Sequence, residues 1–147
     1  MPRITLLMPV GVALALAACG PAVRLDQYVQ DCASVVAVSD HTLADRYTDR
    51  GWIGVAFTGP AATDPVSKVT VTPGDLSFSP TDEVPVGPYL LLAQGTVDTG
   101  GARCRAHVKK LKPNVAPPAH LGIDAVTLSS IQRGETELLV IMVGPAA

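Results

Sequence analysis

The side chains that most often perform catalysis occur in this chain without the spacing of an established catalytic motif. There is no Gly-x-Ser-x-Gly, no Ser-x-x-Lys and no His-Glu-x-x-His, so two common serine hydrolase signatures and a common zinc signature are excluded. Asp82 and Glu83 are adjacent carboxylates, but neighbours on a strand point to opposite faces. We therefore expect them in a solvated, proline-rich loop, and the sequence predicts no catalytic residue, metal ligand or cofactor.

Two histidine positions keep an enzymatic alternative open. His41 follows Asp40 and could act as an oriented base, although such a pair is more typical of an exposed turn with a helix cap. His120 lies in a loop, and its closest acid is Asp124. An enzyme with a non-standard active site would require Asp40, His41 and His120 to converge in one cleft.

The uneven distribution of basic residues is the second feature with chemical potential. Residues 103–112 contain five basic side chains and no acid. Their alternation predicts a strand on which four side chains share one face: Arg103, Arg105, His107 and Lys109. This basic stripe would line a pocket for an anionic envelope ligand, such as lipid phosphates, cell-wall carboxylates or an acidic partner. The alternative is a solvated outer face, or an exposed edge strand protected from pairing by its charges.

The first 18 residues have the layout of a signal peptide. Arg3 precedes an apolar run over 4–18 that is shorter than the roughly 20 residues of a spanning helix, and Pro9 and Gly11 would weaken such a helix. Leu16-Ala17-Ala18-Cys19 resembles the lipobox of bacterial lipoproteins. The resemblance covers only the signal region and implies cleavage before Cys19, with acyl chains such as palmitate on that residue. The alternative is an ordinary secreted protein cut near Ala18.

The cysteine count agrees with that resemblance. An exported protein with three cysteines has one unpaired thiol, unless Cys19 carries lipid. Cys32 and Cys104 then remain as a pair, which an oxidising envelope compartment favours as a disulfide. Free buried thiols are the alternative, and there is no Cys-x-x-Cys that would indicate redox or metal chemistry.

Length and composition limit the remaining function classes. The chain has 147 residues, a length typical of one domain. With the lipobox, we expect residues 1–18 as signal peptide, 19–24 as lipidated cysteine with a short connector, and 25–147 as a single β-rich domain. Five connector residues reach about 17 Å at most, which would hold the domain close to the membrane. The formal net charge of −2 gives no indication of nucleic-acid binding.

Turn residues divide the rest of the chain into short segments. The apolar spacing from Leu25 predicts a helix over about 24–36, although Ala33–Val38 could instead form a strand. Residues 39–51 are expected as a loop or one helical turn, and Ile123–Ile131 and Glu137–Val143 as the last two strands. Residues 69–80 resemble a strand–turn–strand unit of immunoglobulin-like bacterial envelope domains.

About seven short strands and one short N-terminal helix predict a mainly β fold, a small antiparallel β-sandwich that is immunoglobulin-like or similar. An α+β fold is the alternative. We expect a lipid-anchored protein of the cell envelope. Gly20 rather than Asp follows the cysteine, and by resemblance to the lipoprotein sorting of proteobacteria this implies the outer membrane, facing the periplasm, in a diderm source. Its expected role is that of a non-catalytic accessory, adaptor or assembly factor, with the membrane and other envelope proteins as partners. A binder of an anionic envelope ligand or cell-wall component and an enzyme are the alternatives.

Overall fold

A computed structural model of the protein describes residues 26–146. The predicted signal peptide, the lipobox and the connector lie outside this range. The described residues form two α-helices, α1 (Gln27–Ser34) and α2 (Ala125–Gln132). They also form eight strands: β1 (Val36–Val38), β2 (Thr42–Asp49), β3 (Trp52–Pro60), β4 (Val69–Val71), β5 (Asp75–Val86), β6 (Tyr89–Asp98), β7 (Arg103–Leu111) and β8 (Thr136–Pro145).

The fold is mainly β and contains two antiparallel sheets, as a small β-sandwich does. Six strands form one sheet in the order β2-β3-β8-β7-β6-β5, and β1 pairs with β4 in a short ribbon. The predicted sandwich with a short N-terminal helix is therefore confirmed, with eight strands among residues 26–146 rather than about seven.

Both faces of the six-stranded sheet bury apolar side chains. The face that packs against α1 and the β1–β4 ribbon is called the inner face. There Val29 and Val69 pack in one core cluster with Val108 and Ile141. The outer face carries a second cluster that includes Leu138 and Val140. The chain between β7 and β8 covers part of that face through Leu121. Because alternate residues face opposite layers, β8 is apolar without interruption from Leu138 to Val143.

Helix α1 and strand β1 share the segment for which a helix and a strand were competing predictions. The apolar spacing does form a helix, but it ends at Ser34, and Val36 begins β1. The helix buries Val29 and Cys32 against the sheet. Both predictions hold in part. The first part of the segment is helical, and the β-branched run at its end pairs with β4.

Residues 39–51 do not form the predicted loop. Thr42–Asp49 is strand β2, paired with β3 at one edge of the sheet. Its side chains are mostly exposed, with Asp45 and Tyr47 half-buried on the outer face. An edge strand is fixed by its backbone ladder and needs little apolar alternation, so its sequence carries only a weak strand signal.

The predicted strand Ile123–Ile131 is wrong, because Ala125–Gln132 forms helix α2. The Asp124 carboxylate accepts a hydrogen bond of 2.8 Å from the Thr127 backbone N–H and caps the first turn. The helix begins at this N-cap despite the β-branched residues that follow.

The other strand predictions agree with the structure. Residues 69–80 are strand, turn and strand, but β4 and β5 belong to different sheets. Asp82 and Glu83 are exposed as expected. They lie within β5, at an irregularity in its register between Pro80 and Val84, rather than in a loop.

Candidate functional site

The two cysteines that the sequence pairs are joined by a disulfide. Cys32 in α1 and Cys104 in β7 have Cα atoms 6.4 Å apart and a sequence separation of 72. Both side chains are fully buried between the helix and the inner face of the sheet. The third cysteine, Cys19, lies outside the described residues. The bridge thus fixes the first helix to the strand that carries the basic stripe.

The basic stripe lies on the outer face, at the middle of the sheet. Its strand β7 pairs with β6 on one side and β8 on the other, so the alternative of a protected edge strand is wrong. The predicted alternation holds: Cys104 and Ala106 are buried on the inner face, whereas Arg103 and Arg105 are exposed. Exposure decreases along the stripe, because His107 and Lys109 are half-buried.

Trp52 adds an aromatic surface to this stripe. A Cβ atom placed on Gly144 would lie 2.3 Å from the indole, so the ring covers a position that only glycine leaves open. The Arg105 guanidinium lies 5.1 Å from the indole centroid, within cation–π range, and Arg105 Nε donates a hydrogen bond of 2.8 Å to the Pro145 carbonyl. The His107 ring lies 4.9 Å away on the same side of the sheet. We call Trp52, Arg105 and His107 the aromatic–basic platform.

The electrostatics of the stripe are less uniform than its sequence indicates. Burial lowers the pKa of His107, and the nearby Lys109 and Arg105 lower it further. Burial also lowers the pKa of Lys109, and Asp49 partly opposes this shift. His107 therefore carries little charge at neutral pH, and the exposed positive charge of the stripe is concentrated at Arg103 and Arg105.

The three residues of the enzymatic alternative do not converge. Asp40 is exposed in a turn with a positive φ of 63° and pairs with Lys68 at 3.1 Å. His120 lies 3.9 Å from Asp45 and edge-on against Tyr47, with 4.7 Å between ring centroids. The side chain of His41 is fully buried and has other partners. The cleft that this hypothesis requires is not formed from these residues.

The partner of His41 is Glu137, a residue that the sequence did not single out. His41 Nε2 lies 2.9 Å from Glu137 Oε1, and His41 Nδ1 lies 2.8 Å from the Ser39 carbonyl oxygen. Among residues 26–146, Glu137 is the one charged residue that is buried as a whole, at 3% exposure. Gly59 faces it from β3, and a Cβ atom there would lie 2.5 Å from the His41 ring. Glycine at this strand position was the available signal, because it admits the ring.

A cavity of about 440 Å³ opens beside this pair. Its lining includes Glu137, Lys110, Lys112 and apolar side chains from the chain between β7 and β8. The Lys110 ammonium lies 3.5 Å from Glu137 Oε2. The residues of the basic stripe do not line this cavity, so the pocket predicted around them is not the one found here.

The described residues contain no group of three or more His, Cys, Asp or Glu that could hold a metal ion. Between residues 26 and 146, neither helix has the length and apolar character needed to cross a bilayer.

No protein-family model matches the chain. Comparisons with curated proteins and with solved structures give no match either.

Proposed function

We propose that this chain is a lipid-anchored protein of the bacterial cell envelope, in the outer membrane facing the periplasm. Its β domain acts there as a non-catalytic accessory, adaptor or assembly factor. The observation that carries this proposal is the Cys32–Cys104 disulfide. It is typical of an oxidising compartment, and it leaves Cys19, which follows the signal-like segment directly, as the cysteine available for lipid.

The position of the first helix supports a domain held close to the membrane. The Tyr28 carbonyl oxygen lies 3.5 Å from Cys104 Sγ, at the end of the sheet where β7 begins. Arg103 and Arg105 belong to the same end of β7. The chain from Cys19 to Asp26 reaches about 24 Å when fully extended. A lipid on Cys19 would thus keep this end of the sheet near the headgroups.

A second proposal follows from that position: the exposed arginines of the stripe contact anionic lipid headgroups. The anchor would hold the end of the sheet that carries Arg103 and Arg105 within reach of the membrane, and lipid phosphates complement their charge. The aromatic–basic platform favours the same contact, because the amphipathic indole of Trp52 suits the interface. Asp98 faces Arg103 across the β6–β7 ladder and reduces the local positive charge.

Lipidation is tested by expressing the full chain in a diderm bacterium that is fed an alkyne-labelled fatty acid. We expect label and membrane fractionation for the natural sequence, and the loss of both for Cys19→Ser. The matched control is the double variant Cys32→Ser/Cys104→Ser, which should lose the disulfide but keep the label. Labelling that survives Cys19→Ser would disprove the anchor.

The accessory role is tested by crosslinking the anchored protein in its native membrane and identifying what co-purifies. The proposal expects a small, reproducible set of envelope proteins that is lost when Cys19→Ser releases the domain. Recovery of the anchored protein as a free monomer, with no reproducible partner, would refute it.

The headgroup contact is tested separately with the unlipidated Cys19→Ser protein. Its binding to phosphatidylglycerol-containing vesicles is compared with its binding to phosphatidylcholine vesicles. Arg103→Ala/Arg105→Ala should weaken binding by about 2 kcal/mol, roughly thirtyfold, because each basic residue near an anionic surface contributes about 1 kcal/mol. Arg133→Ala removes an exposed charge elsewhere and should leave binding unchanged. Equal binding by both variants would exclude this contact without affecting the anchor.

A further inference from the structure

The cavity beside Glu137 combines apolar walls with two ammonium groups. Its apolar lining includes Val115, Ile131 and Leu138, and Lys110 and Lys112 provide its positive charge. A volume of about 440 Å³ lies within the range of small-molecule sites. Such a lining suits a ligand with an apolar body and an anionic group.

The hydrogen bonds of His41 determine the net charge of the His41–Glu137 pair, which lies next to Lys110. The Ser39 carbonyl can only accept, so His41 Nδ1 must donate to it. One proton then lies between His41 Nε2 and Glu137 Oε1, either on the imidazole or on the carboxyl group. In both arrangements the pair is neutral as a whole, and Oε2 of Glu137 is an acceptor.

Lys110 completes this cluster without being held tightly by it. Its ammonium lies 3.5 Å from Glu137 Oε2, yet Oε2 is buried and receives no hydrogen bond. The N–H groups of Lys110 thus remain available, while the carboxylate keeps the ammonium near the cavity. Because the pair of His41 and Glu137 is neutral as a whole, the lysines leave the cavity with a net positive charge.

A buried polar cluster of this kind is a poor choice for stability alone. Desolvation offsets most of the attraction between two buried charges, and apolar residues of similar volume often stabilise a core as well or better. The rest of β8 follows that rule, since Leu138–Val143 is entirely apolar and buried. Glu137 and Lys110 stand where the sheet meets the cavity, and a few polar groups in an otherwise apolar wall are typical of a small-molecule site.

We propose that this cavity binds a small carboxylate with an apolar body, either a free acid or the carboxyl terminus of a peptide. Lys110 and Lys112 bind the carboxylate, and the apolar walls hold the hydrocarbon part. Glu137, supported by His41, is a positioning residue that holds Lys110 at the cavity. The inference is independent of the lipid anchor, because every residue that it uses belongs to the folded domain.

The test measures ligand binding by calorimetry and NMR on the full protein. Octanoate is the probe, and octanol and octylammonium are the controls for its charge. We expect octanoate to bind at least tenfold more tightly than either control, with shifts at residues 110–116 and 131–138. Equal affinity for octanoate and octanol, or shifts confined to other residues, would overturn the proposal.

Variants assign the binding to the named groups. Lys110→Met should weaken octanoate binding at least tenfold, whereas Lys110→Arg should retain most of it. Lys68→Met is the matched control, because the side chain of Lys68 is also 33% exposed and also paired with a carboxylate. Ala116→Trp fills the cavity without changing its charge and should abolish binding. Unchanged binding in Lys110→Met, at an unchanged thermal midpoint, would refute the assignment.

A peptide series separates the two sources of the carboxylate. N-acetyl-leucine and its amide differ only in the terminal charge, and a tripeptide that ends in leucine adds backbone. Tighter binding of the tripeptide than of octanoate would identify a peptide terminus, whereas the reverse order would identify a free acid. Binding of the amide as tightly as the acid would contradict both.

Discussion

Removal of the Cys32–Cys104 disulfide should destabilise the domain more than any single change on its surface. The bridge closes a loop with a sequence separation of 72. In the chain-entropy account, a loop of this length restricts the unfolded chain and contributes about 4 kcal/mol to the free energy of unfolding. That is a large share of the 5–15 kcal/mol typical of natural domains.

The perturbation is the double variant Cys32→Ala/Cys104→Ala, measured by urea unfolding against the natural sequence. We expect the free energy of unfolding to fall by about 4 kcal/mol, which corresponds to about 15 °C in the thermal midpoint for a domain of this size. The urea dependence should steepen, because an unfolded chain without the bridge exposes more surface.

Two comparisons separate the bridge from other effects. Cys19→Ser should leave the free energy of unfolding unchanged, because the disulfide joins Cys32 and Cys104 and does not involve Cys19. Hydrogen exchange should rise first in α1, since the bridge links this helix to β7. A loss below about 1 kcal/mol in the double variant would show that the bridge restricts the unfolded chain far less than the chain-entropy account requires.

Three further perturbations test the outer face and α2. Gly144→Ala should cost about 1–3 kcal/mol by displacing Trp52, the one tryptophan of the chain, and should shift its fluorescence. Gly101→Ala, where a Cβ atom meets nothing within 4 Å, should change neither property. The lowered pKa of His107 means that the unfolded chain binds a proton more readily, so stability should fall as the pH drops below 6.5. His107→Asn should flatten that dependence in urea titrations at several pH values. Asp124→Ala should increase amide exchange in α2 by removing its N-cap, and an unchanged rate would show that the cap does not hold the helix.

Several features of this protein follow from its sequence because they depend on local patterns. The alternation of buried and exposed residues places Arg103 and Arg105 on one face of β7, and the structure confirms that arrangement. The pairing of Cys32 with Cys104 follows from the odd cysteine count once Cys19 is assigned to lipid, and the disulfide is present. The lipid on Cys19 itself stays a prediction.

Local patterns fail where an element takes its stability from a distant partner. The edge strand β2 forms without apolar alternation, because its backbone hydrogen bonds to β3 hold it in the sheet. Strand β7 carries charges typical of an edge but lies between two neighbours, since the order of strands depends on how the whole chain packs. Helix α2 forms despite a β-rich composition, because Asp124 caps its first turn and Ile131 packs against the outer face of the sheet.

The candidate site depends on tertiary structure for the same reason. His41 and Glu137 are 96 residues apart, and the pairing of β2 with β3 and of β3 with β8 brings them within 2.9 Å. Each looks ordinary in its own segment: a histidine in a polar turn and a glutamate at the start of an apolar strand. The sequence determined which side chains were available for chemistry in this domain. The order of strands decided which of them meet, because contact between distant segments is a property of the assembled sheet.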